Sequence, residues 1–192
     1  RTPLRMKVAN LLHFLGVGVL IALALPVIAT LVVFRIRPAE KTDPMFAPRP
    51  TEDHTRALAE IEDQDVTNQF SVIGGVKPGL ARRWVTRFVL LLINWTARHI
   101  YTKGRLGRVR TIHFARWVYL DGRKRIFFAS NYDGSLESYM DDFINKVAFG
   151  LNVIFSNGIA YPPTRWLLLG GAKDEQHFKF VLRRHQIPTQ VW

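Results

Sequence analysis

The sequence predicts an α+β protein that is held at a membrane by one N-terminal helix. Three observations predict this class: a long uncharged apolar run near the start, an amphipathic helix pattern in the middle, and alternating strand and helix patterns after it. With the anchor and a linker set aside, about 120 residues remain, enough for one domain with its own core. The order of the later patterns predicts an antiparallel sheet with helices on one face.

The first element is the apolar run from Val8 to Phe34, which is 27 residues without a formal charge. At about 1.5 Å per residue it makes roughly 40 Å of helix, more than the roughly 30 Å core of a bilayer. A cleaved signal peptide is the alternative, but its apolar core is usually about 7–15 residues long and ends at small residues. Here Arg35-Ile36-Arg37-Pro38 follows directly. We therefore predict a transmembrane anchor over residues 1–37.

The anchor carries small residues, Gly16, Gly18 and Ala22, which would let another helix approach closely. His13 has two interpretations: a contact or a pigment or haem ligand inside the membrane, or a side chain at the level of the lipid headgroups. Basic residues flank both ends of the anchor, and the larger group lies C-terminal. We expect a single-pass protein of the inner (cytoplasmic) membrane, and the positive-inside tendency predicts that its soluble domain lies in the cytoplasm.

Residues 38–66 are predicted to be a proline-rich linker that leads into a short acidic helix. Prolines at positions 38, 44, 48 and 50 oppose regular structure, and Thr51 is a plausible N-cap. The acidic residues are interpreted either as solvated surface or as a docking strip for basic elements of this or another chain. They are Glu52, Asp53, Glu60, Glu62, Asp63 and Asp65.

Residues 67–110 are predicted to contain an interfacial amphipathic helix, from Leu80 to about Tyr101. Its uncharged stretch is too short to span a bilayer, but aromatic and leucine residues on one side and arginines on the other suit the interface plane. The alternative is a helix packed on the domain core. The side chains expected at the membrane or a partner are Arg82, Arg83, Trp84, Arg87, Phe88, Leu92 and Trp95.

The net charge of +12 is compatible with nucleic acid, anionic lipid or an acidic protein as a partner, or with solvated surface charge alone, and the positions of the basic residues favour lipid. Basic side chains placed beside apolar segments are what anionic headgroups attract, whereas a membrane anchor disfavours nucleic acid as the ligand. Further basic residues lie in the last turn of the amphipathic helix and after it, at Arg98, Lys103, Arg105, Arg108 and Arg110. We expect the partners to be a bilayer with anionic lipids and other transmembrane subunits, with no nucleic acid.

Residues 111–192 are predicted to form the α+β domain. A hairpin is expected at Asp121-Gly122, and Ser135 is expected to cap the helix that follows. The predicted strands cover residues 111–120, 125–129 and 164–169, with a last one from residue 188 to 192, and the predicted helices cover residues 135–155 and 174–185.

Three segments resemble a known group of proteins: Ile112-His113-Phe114-Ala115-Arg116-Trp117-Val118, Phe128-Ala129-Ser130-Asn131-Tyr132-Asp133-Gly134-Ser135 and Gly170-Gly171-Ala172-Lys173-Asp174-Glu175-Gln176. Over about residues 65–192 the chain is similar to bacterial membrane-associated proteins related to dye-decolourising peroxidases, within the ferredoxin-like dimeric α/β-barrel superfamily. The resemblance implies a ferredoxin-like sheet of four antiparallel strands backed by two helices.

The peroxidases of this superfamily carry a Gly-x-x-Asp-Gly motif whose Asp assists peroxide cleavage above a haem. The matching stretch runs from Ser130 to Gly134 and keeps the Asp and the second Gly, but Ser130 replaces the first Gly. The resemblance therefore implies Asp133 as a catalytic candidate and a haem ligand among His113, His177 and His185. Asp133 has an alternative interpretation as a turn and helix-entry residue.

The remaining chemistry is sparse. The chain has no cysteine, which excludes disulfides, thiolate metal sites and thiol catalysis, and its histidines lack metal-ligand spacing. We predict no metal and no cofactor, with haem as the open possibility. The leading hypothesis is a non-catalytic accessory or structural subunit of a larger bacterial membrane complex. The alternative is a membrane-bound haem peroxidase-like enzyme acting on peroxide or lipid-derived substrates.

Overall fold

The computed structural model describes residues 2–62, 65–101 and 112–188. Helices dominate the first hundred residues, and strands and helices alternate afterwards. The elements in chain order are α1 (Leu4–Leu31), a π-helical turn (Val32–Ile36), α2 (Arg37–Thr42), α3 (Glu52–Ala59), β1 (Thr67–Gly75), α4 (Leu80–His99), β2 (Ile112–Leu120), β3 (Arg125–Asp133), α5 (Leu136–Phe155), β4 (Thr164–Arg165), β5 (Leu169–Gly170) and α6 (Glu175–His185).

The apolar run lies in a helix that is longer than predicted. α1, the π-helical turn and α2 are continuous over Leu4–Thr42 and are called the anchor helix below. Within the described ranges it is the one helix long and apolar enough to cross a bilayer, and 6% of its most apolar window is buried.

The predicted start of the linker at Pro38 is wrong, because α2 includes that residue. Proline lacks an amide hydrogen and its ring crowds the carbonyl one turn earlier, so it disrupts an ordinary helix. Here the amide of Arg37 bonds to the carbonyl of Val32, five residues back, which makes the turn before the proline wider than an α-helical turn. The extended part of the segment is confined to residues 43–51. The predicted short helix after Thr51 is confirmed as α3, with the Thr51 side chain accepting a hydrogen bond from the amide of His54.

Three nine-residue strands form an antiparallel sheet in the order β1-β3-β2. The predicted hairpin of β2 and β3 is confirmed, and β3 continues four residues past Ala129 to Asp133. The strand β1 was not predicted, yet it pairs with β3 along its whole length. Its sequence, TNQFSVIGG, hides the alternation because buried Asn68 occupies an inward position beside Phe70 and Val72.

After α6 the chain returns to the free side of β1. Val72 forms an antiparallel bridge with Gln186, and the amide of Ile187 donates to the carbonyl of Ser71 at 2.8 Å. The predicted last strand begins at Pro188, and its residues 189–192 lie outside the described residues. So do Thr111, where the first predicted strand began, the acidic Asp63, and the basic residues at positions 103, 105, 108 and 110.

The main core lies between one face of the sheet and the helices α5 and α6. Aromatic rings dominate it, including the stacked pair Tyr132 and Tyr139, whose centroids are 4.3 Å apart. Ser135 caps α5, as predicted, and Asp174, which was predicted to be the first residue of its helix, caps α6. Helices α4, α5 and α6 confirm the predicted ranges to within two residues at each end.

The predicted strand from Thr164 to Leu169 is wrong in detail. The segment is two short strands, β4 and β5, which pair with each other across a turn. Trp166 and Leu167 in that turn have φ angles of 62° and 60°, which side-chain-bearing residues rarely adopt. Backbone in this conformation needs support from its surroundings.

Candidate functional site

The C-terminal end of the anchor helix is built into the domain. Ile36 is 1% exposed and lies in a second core cluster with Val85 and Val89 of α4, Ile154 of α5 and Leu167 of the β4–β5 turn. Ile28, Leu31 and Val32 pack against the same cluster. The last turns of the apolar run therefore contribute to the core of the domain.

Glu40 fixes α2 to the β4–β5 turn. Its side chain is 1% exposed. One carboxylate oxygen accepts the amide of Leu167 at 2.7 Å and the hydroxyl of Thr164 at 2.8 Å; the other accepts the amide of Trp166 at 2.9 Å and the guanidinium of Arg37 at 3.1 Å. The carboxylate thus satisfies the two amides of the residues with positive φ, and this contact supports the unusual turn.

Asp43 makes a second connection just after α2. Its two oxygens accept hydrogen bonds from one guanidinium nitrogen of Arg82, at 2.9 and 2.8 Å, and Lys77 donates to it at 2.7 Å. Lys77 also donates to the carbonyl of Ser156 at 2.9 Å. Burial lowers the pKa of Lys77, although the hydrogen bond to Asp43 opposes that effect.

This network corrects the prediction for Arg82. It was expected at the headgroups, but it is 4% exposed and its partner is a carboxylate of the same chain. Phe88, expected at the membrane, is also buried, at 9% exposure. The N-terminal half of α4 packs on the domain and on the anchor helix, because its positions 82, 85, 86, 88 and 89 are all buried.

Other predicted interface residues of α4 are exposed. Trp84 is 55% exposed, and Arg83 and Arg87 are exposed beside it, with the Arg87 guanidinium 5.6 Å from the Trp84 ring centre. Leu92 is partly buried. Arginine and tryptophan therefore share one exposed surface at the start of α4, whereas the prediction placed them on opposite sides of the helix.

The C-terminal half of α4 lies along α1. The ring of Trp95 covers Gly18, with 3.4 Å between a ring carbon and the position a Cβ would occupy, and stacks on Phe14 with centroids 5.1 Å apart. The small surface predicted to admit another helix therefore admits α4 of the same chain at Gly18. A Cβ placed on Gly16 would meet no atom of another element within 4 Å, and Gly16 is exposed, as is Ala22.

Polar side chains pair between the same two helices. The Nδ1 atom of His13 is 2.8 Å from the Nε2 atom of His99, and Arg98 donates to Asn10 at 3.3 Å. The Trp95 indole also donates to the carbonyl of Phe14 at 3.1 Å. The sequence left two roles open for His13, a ligand inside the membrane or a side chain at the headgroups. In the structure its imidazole is paired with that of His99.

The residues proposed for haem chemistry are distributed over the domain. Asp133 accepts from Thr67 at 2.8 Å and lies 2.6 Å from the Nε2 atom of His113. These hydrogen bonds, that of His113 first, lower the pKa of Asp133. Because the two side chains contact each other directly, they cannot stand on opposite faces of one haem in this arrangement.

The other two histidines also have partners in the chain. His177 is bonded to Asp174, the cap of its own helix, at 2.8 Å, and the Nδ1 atom of His185 is bonded to the carbonyl of Val181 at 2.8 Å. In the described part of the chain, no group of three or more His, Cys, Asp or Glu side chains is arranged to hold a metal ion.

The sequence analysis missed Glu40, Asp43 and Asn152. Asn152 is 1% exposed. Its side-chain amide donates to the carbonyls of Leu168 and Gly170, and its side-chain oxygen accepts from the Tyr161 hydroxyl and from the backbone amide of Ala172. The spacing of Arg37 and Glu40, three apart on a helix, was a detectable signal for an ion pair. No local signal in the sequence identifies the distant backbone groups that Glu40 and Asn152 bind.

Within the acidic segment, Glu62 has a basic partner. Arg183 of α6 binds its carboxylate through two nitrogens, one of them at 2.8 Å. This segment was interpreted either as solvated surface or as a docking strip for basic elements. Glu62 fits the second interpretation, because it binds a basic residue of α6 in the same chain.

Comparison with known proteins gives this chain no relative. No protein-family model matches it, and neither a curated protein nor a solved structure matches it significantly.

Proposed function

We propose that this protein is a membrane-anchored accessory subunit, without catalytic activity of its own, of a larger complex in the bacterial inner membrane. The observation that carries the proposal is the rigid joint between the anchor helix and the domain, made by Ile36, Glu40 and Asp43. A domain on a flexible tether samples many orientations, whereas this joint presents the domain at a fixed angle to the helix. Fixed geometry suits a subunit that caps or bridges fixed partners.

The joint also favours retention of the helix over its removal as a signal sequence. Cleavage at the end of the apolar run would remove Ile28, Leu31 and Val32 from the core cluster they share with α4 and α5. Residues of α1 such as Leu12, Val19 and Leu23 are more than half exposed. In a membrane this apolar surface contacts lipid acyl chains and not water. The anchor helix crosses the membrane once, with α4 packed along it as far as His13, and the α+β domain lies on the cytoplasmic side.

The domain belongs, on this proposal, to the ferredoxin-like class. Support comes from the order β1-α4-β2-β3-α5, from the strand order β1-β3-β2, and from the bridge between Val72 and Gln186 on the free side of β1. A fourth strand after Gln186 would complete an antiparallel sheet with its helices on one face.

The partner surface is the face of α1 that α4 leaves open. Gly16 lies at its centre, one turn from Leu12 on one side and from Val19 on the other, and none of these residues is covered by the chain itself. Without a hydrophobic driving force between helices in lipid, close packing at small residues is what associates them. A second transmembrane helix fits here.

The test is recovery of the complex from native membranes. The tagged wild-type chain, extracted in mild detergent, should migrate as a complex, and Gly16→Leu should reduce that species because the leucine holds the partner helix away. Ala29→Leu, which introduces the same side chain at another exposed position of α1, is the control and should leave the complex intact. Recovery of the wild-type chain as a monomer alone, in several mild detergents, would refute the proposal.

A further inference from the structure

The surface beside the joint contains a cleft built from two elements that are distant in the sequence. Residues from the first two turns of α4 form one wall, and the turn between β2 and β3 forms the other. The lining residues are Leu80, Arg83, Trp84, Arg87, Gly122 and Arg123. We call it the arginine cleft.

The arginine cleft concentrates positive charge that no described carboxylate neutralises. Its lining has three guanidinium groups and no acid. In the part of the chain that the structure describes, no carboxylate lies within ion-pair distance of Arg83, Arg87 or Arg123. Two nearby arginines, by contrast, are paired: Arg82 with Asp43 and Arg125 with Asp121. Three unpaired arginines that converge repel one another, and an anion between them removes that repulsion.

The chain holds the cleft in a specific shape. Arg87 lies over the face of Trp84, an arrangement that restrains a guanidinium while leaving its donors free. In the opposite wall, Asp121, Gly122 and Arg123 have φ angles of 49°, 60° and 72°, so two residues with side chains adopt the left-handed conformation that carries Arg123. That conformation is unfavourable for residues that carry a side chain.

The position of the cleft identifies the source of the anion. Val85 and Val89, on the buried side of the same helical turns, pack with Val32 and Ile36, where the apolar run of the anchor helix meets Arg35. Leu80 and Trp84 add exposed apolar surface next to the arginines, at 68% and 55% exposure. Arginine with tryptophan beside the end of an apolar helix is the arrangement found at the headgroup region of a bilayer.

We propose that the arginine cleft binds the phosphate of an anionic phospholipid headgroup. Guanidinium groups donate paired hydrogen bonds to phosphate oxygens, and Trp84 with Leu80 contacts the adjoining apolar part of the lipid. The proposal rests on the proposed membrane location. It adds Arg123, which was not among the predicted lipid contacts, and it excludes Arg82, which binds Asp43 instead.

The test uses the full chain in nanodiscs that contain phosphatidylcholine and phosphatidylglycerol. Native mass spectrometry of the released protein gives the ratio of retained phosphatidylglycerol to retained phosphatidylcholine. A basic residue near an anionic surface contributes about 1 kcal/mol, or about fivefold, so Arg83→Gln with Arg123→Gln should lower that ratio by roughly 30-fold. The control pair, Arg116→Gln with Arg184→Gln, removes the same charge from exposed sites elsewhere and should change it by less than about threefold.

Two further arms separate the possible failures. The cleft proposal would be overturned if both double variants lost phosphatidylglycerol equally, or if the wild-type chain retained phosphatidylglycerol and phosphatidylcholine equally. Either result would leave the proposed membrane anchor in place. Inorganic phosphate that displaces the lipid at low concentration would overturn the assignment to a headgroup in favour of a soluble phosphate ligand. Release of the wild-type chain from carbonate-washed membranes would instead overturn the proposed function, on which the cleft proposal depends.

Discussion

Glu40 should be among the residues whose loss destabilises the protein most. It accepts four hydrogen bonds inside the structure, two of them from the amides of Trp166 and Leu167 at the strained turn. In Glu40→Ala these amides and the hydroxyl of Thr164 lose their acceptor, and the cavity that replaces the carboxylate is closed to bulk water because the Glu40 side chain is 1% exposed.

The magnitude follows from the groups left unpaired. A buried donor without a partner costs about 1–3 kcal/mol, and removal of one member of a buried ion pair costs about 3–5 kcal/mol. The guanidinium of Arg37 is partly exposed, which places the effect near the lower end of the second range. We expect Glu40→Ala to lower the free energy of unfolding by about 3–5 kcal/mol. For a chain of this size that corresponds to a fall in Tm of roughly 6–20 °C.

The assay is thermal unfolding of the detergent-solubilised protein, followed by circular dichroism and by tryptophan fluorescence. Glu40→Gln keeps the volume but presents amide hydrogens to the donors on one side, so its Tm should lie between those of the wild type and Glu40→Ala. The control Glu60→Ala removes an exposed acid and should change stability by less than about 0.5 kcal/mol. Equal Tm values for Glu40→Ala and the control would show that the buried carboxylate does not support the turn.

Three other outcomes follow from the contacts. Gly18→Leu should displace the helix that covers it and raise amide hydrogen exchange at residues 90–99, whereas Gly16→Leu, at an open position, should leave that exchange unchanged. Gly171→Ala should lower the unfolding free energy by more than about 3 kcal/mol, since its Cβ would lie 2.2 Å from a buried amide oxygen; Gly122→Ala has equal strain at open space and should lower it by about 1 kcal/mol. Asp133 has its pKa lowered from 3.8 by the imidazole and the hydroxyl that contact it, so its contribution is present above that value and is lost as pH falls through the lowered pKa. Asp133→Asn should therefore be less stable than the wild type at neutral pH, by less than about 1 kcal/mol because the pair is exposed. This difference in unfolding free energy should shrink in acid, and a difference independent of pH would contradict this reasoning.

Local patterns predicted the elements whose signal is contained in their own residues. The apolar run, the amphipathic α4, the capped α5, the helix α6 and the β2–β3 hairpin all fall in this group. The predicted cap is a short-range feature, because the Ser135 side chain accepts a hydrogen bond from the amide three residues on. Such features depend on sequence spacing alone, which is why they could be read from it.

The elements that failed depend on distant partners. β1 is a strand because β3 pairs with it, and its buried Asn68 donates to the carbonyl of Gly134, so an inward polar residue concealed the alternation. The β4–β5 turn exists because Glu40, more than 120 residues earlier, binds its amides. The same distinction holds for the arginines predicted at the membrane surface. Arg83 and Arg87 are exposed as predicted, whereas Arg82 is buried because it pairs with Asp43.

These long-range contacts form one connected path from the anchor helix into the domain. Glu40 holds the amides of the β4–β5 turn, the carbonyls of Leu168 and Gly170 at the end of that turn accept from Asn152, and Asn152 belongs to α5, which packs on the sheet. Each link is a buried polar group, which destabilises the fold if it separates from its partner. A tilt of the anchor helix therefore cannot be absorbed at residues 37–43 without breaking such a link. It must turn the whole domain, together with the arginine cleft beside the joint, and this is the physical reason to regard helix and domain as one body with a preset orientation.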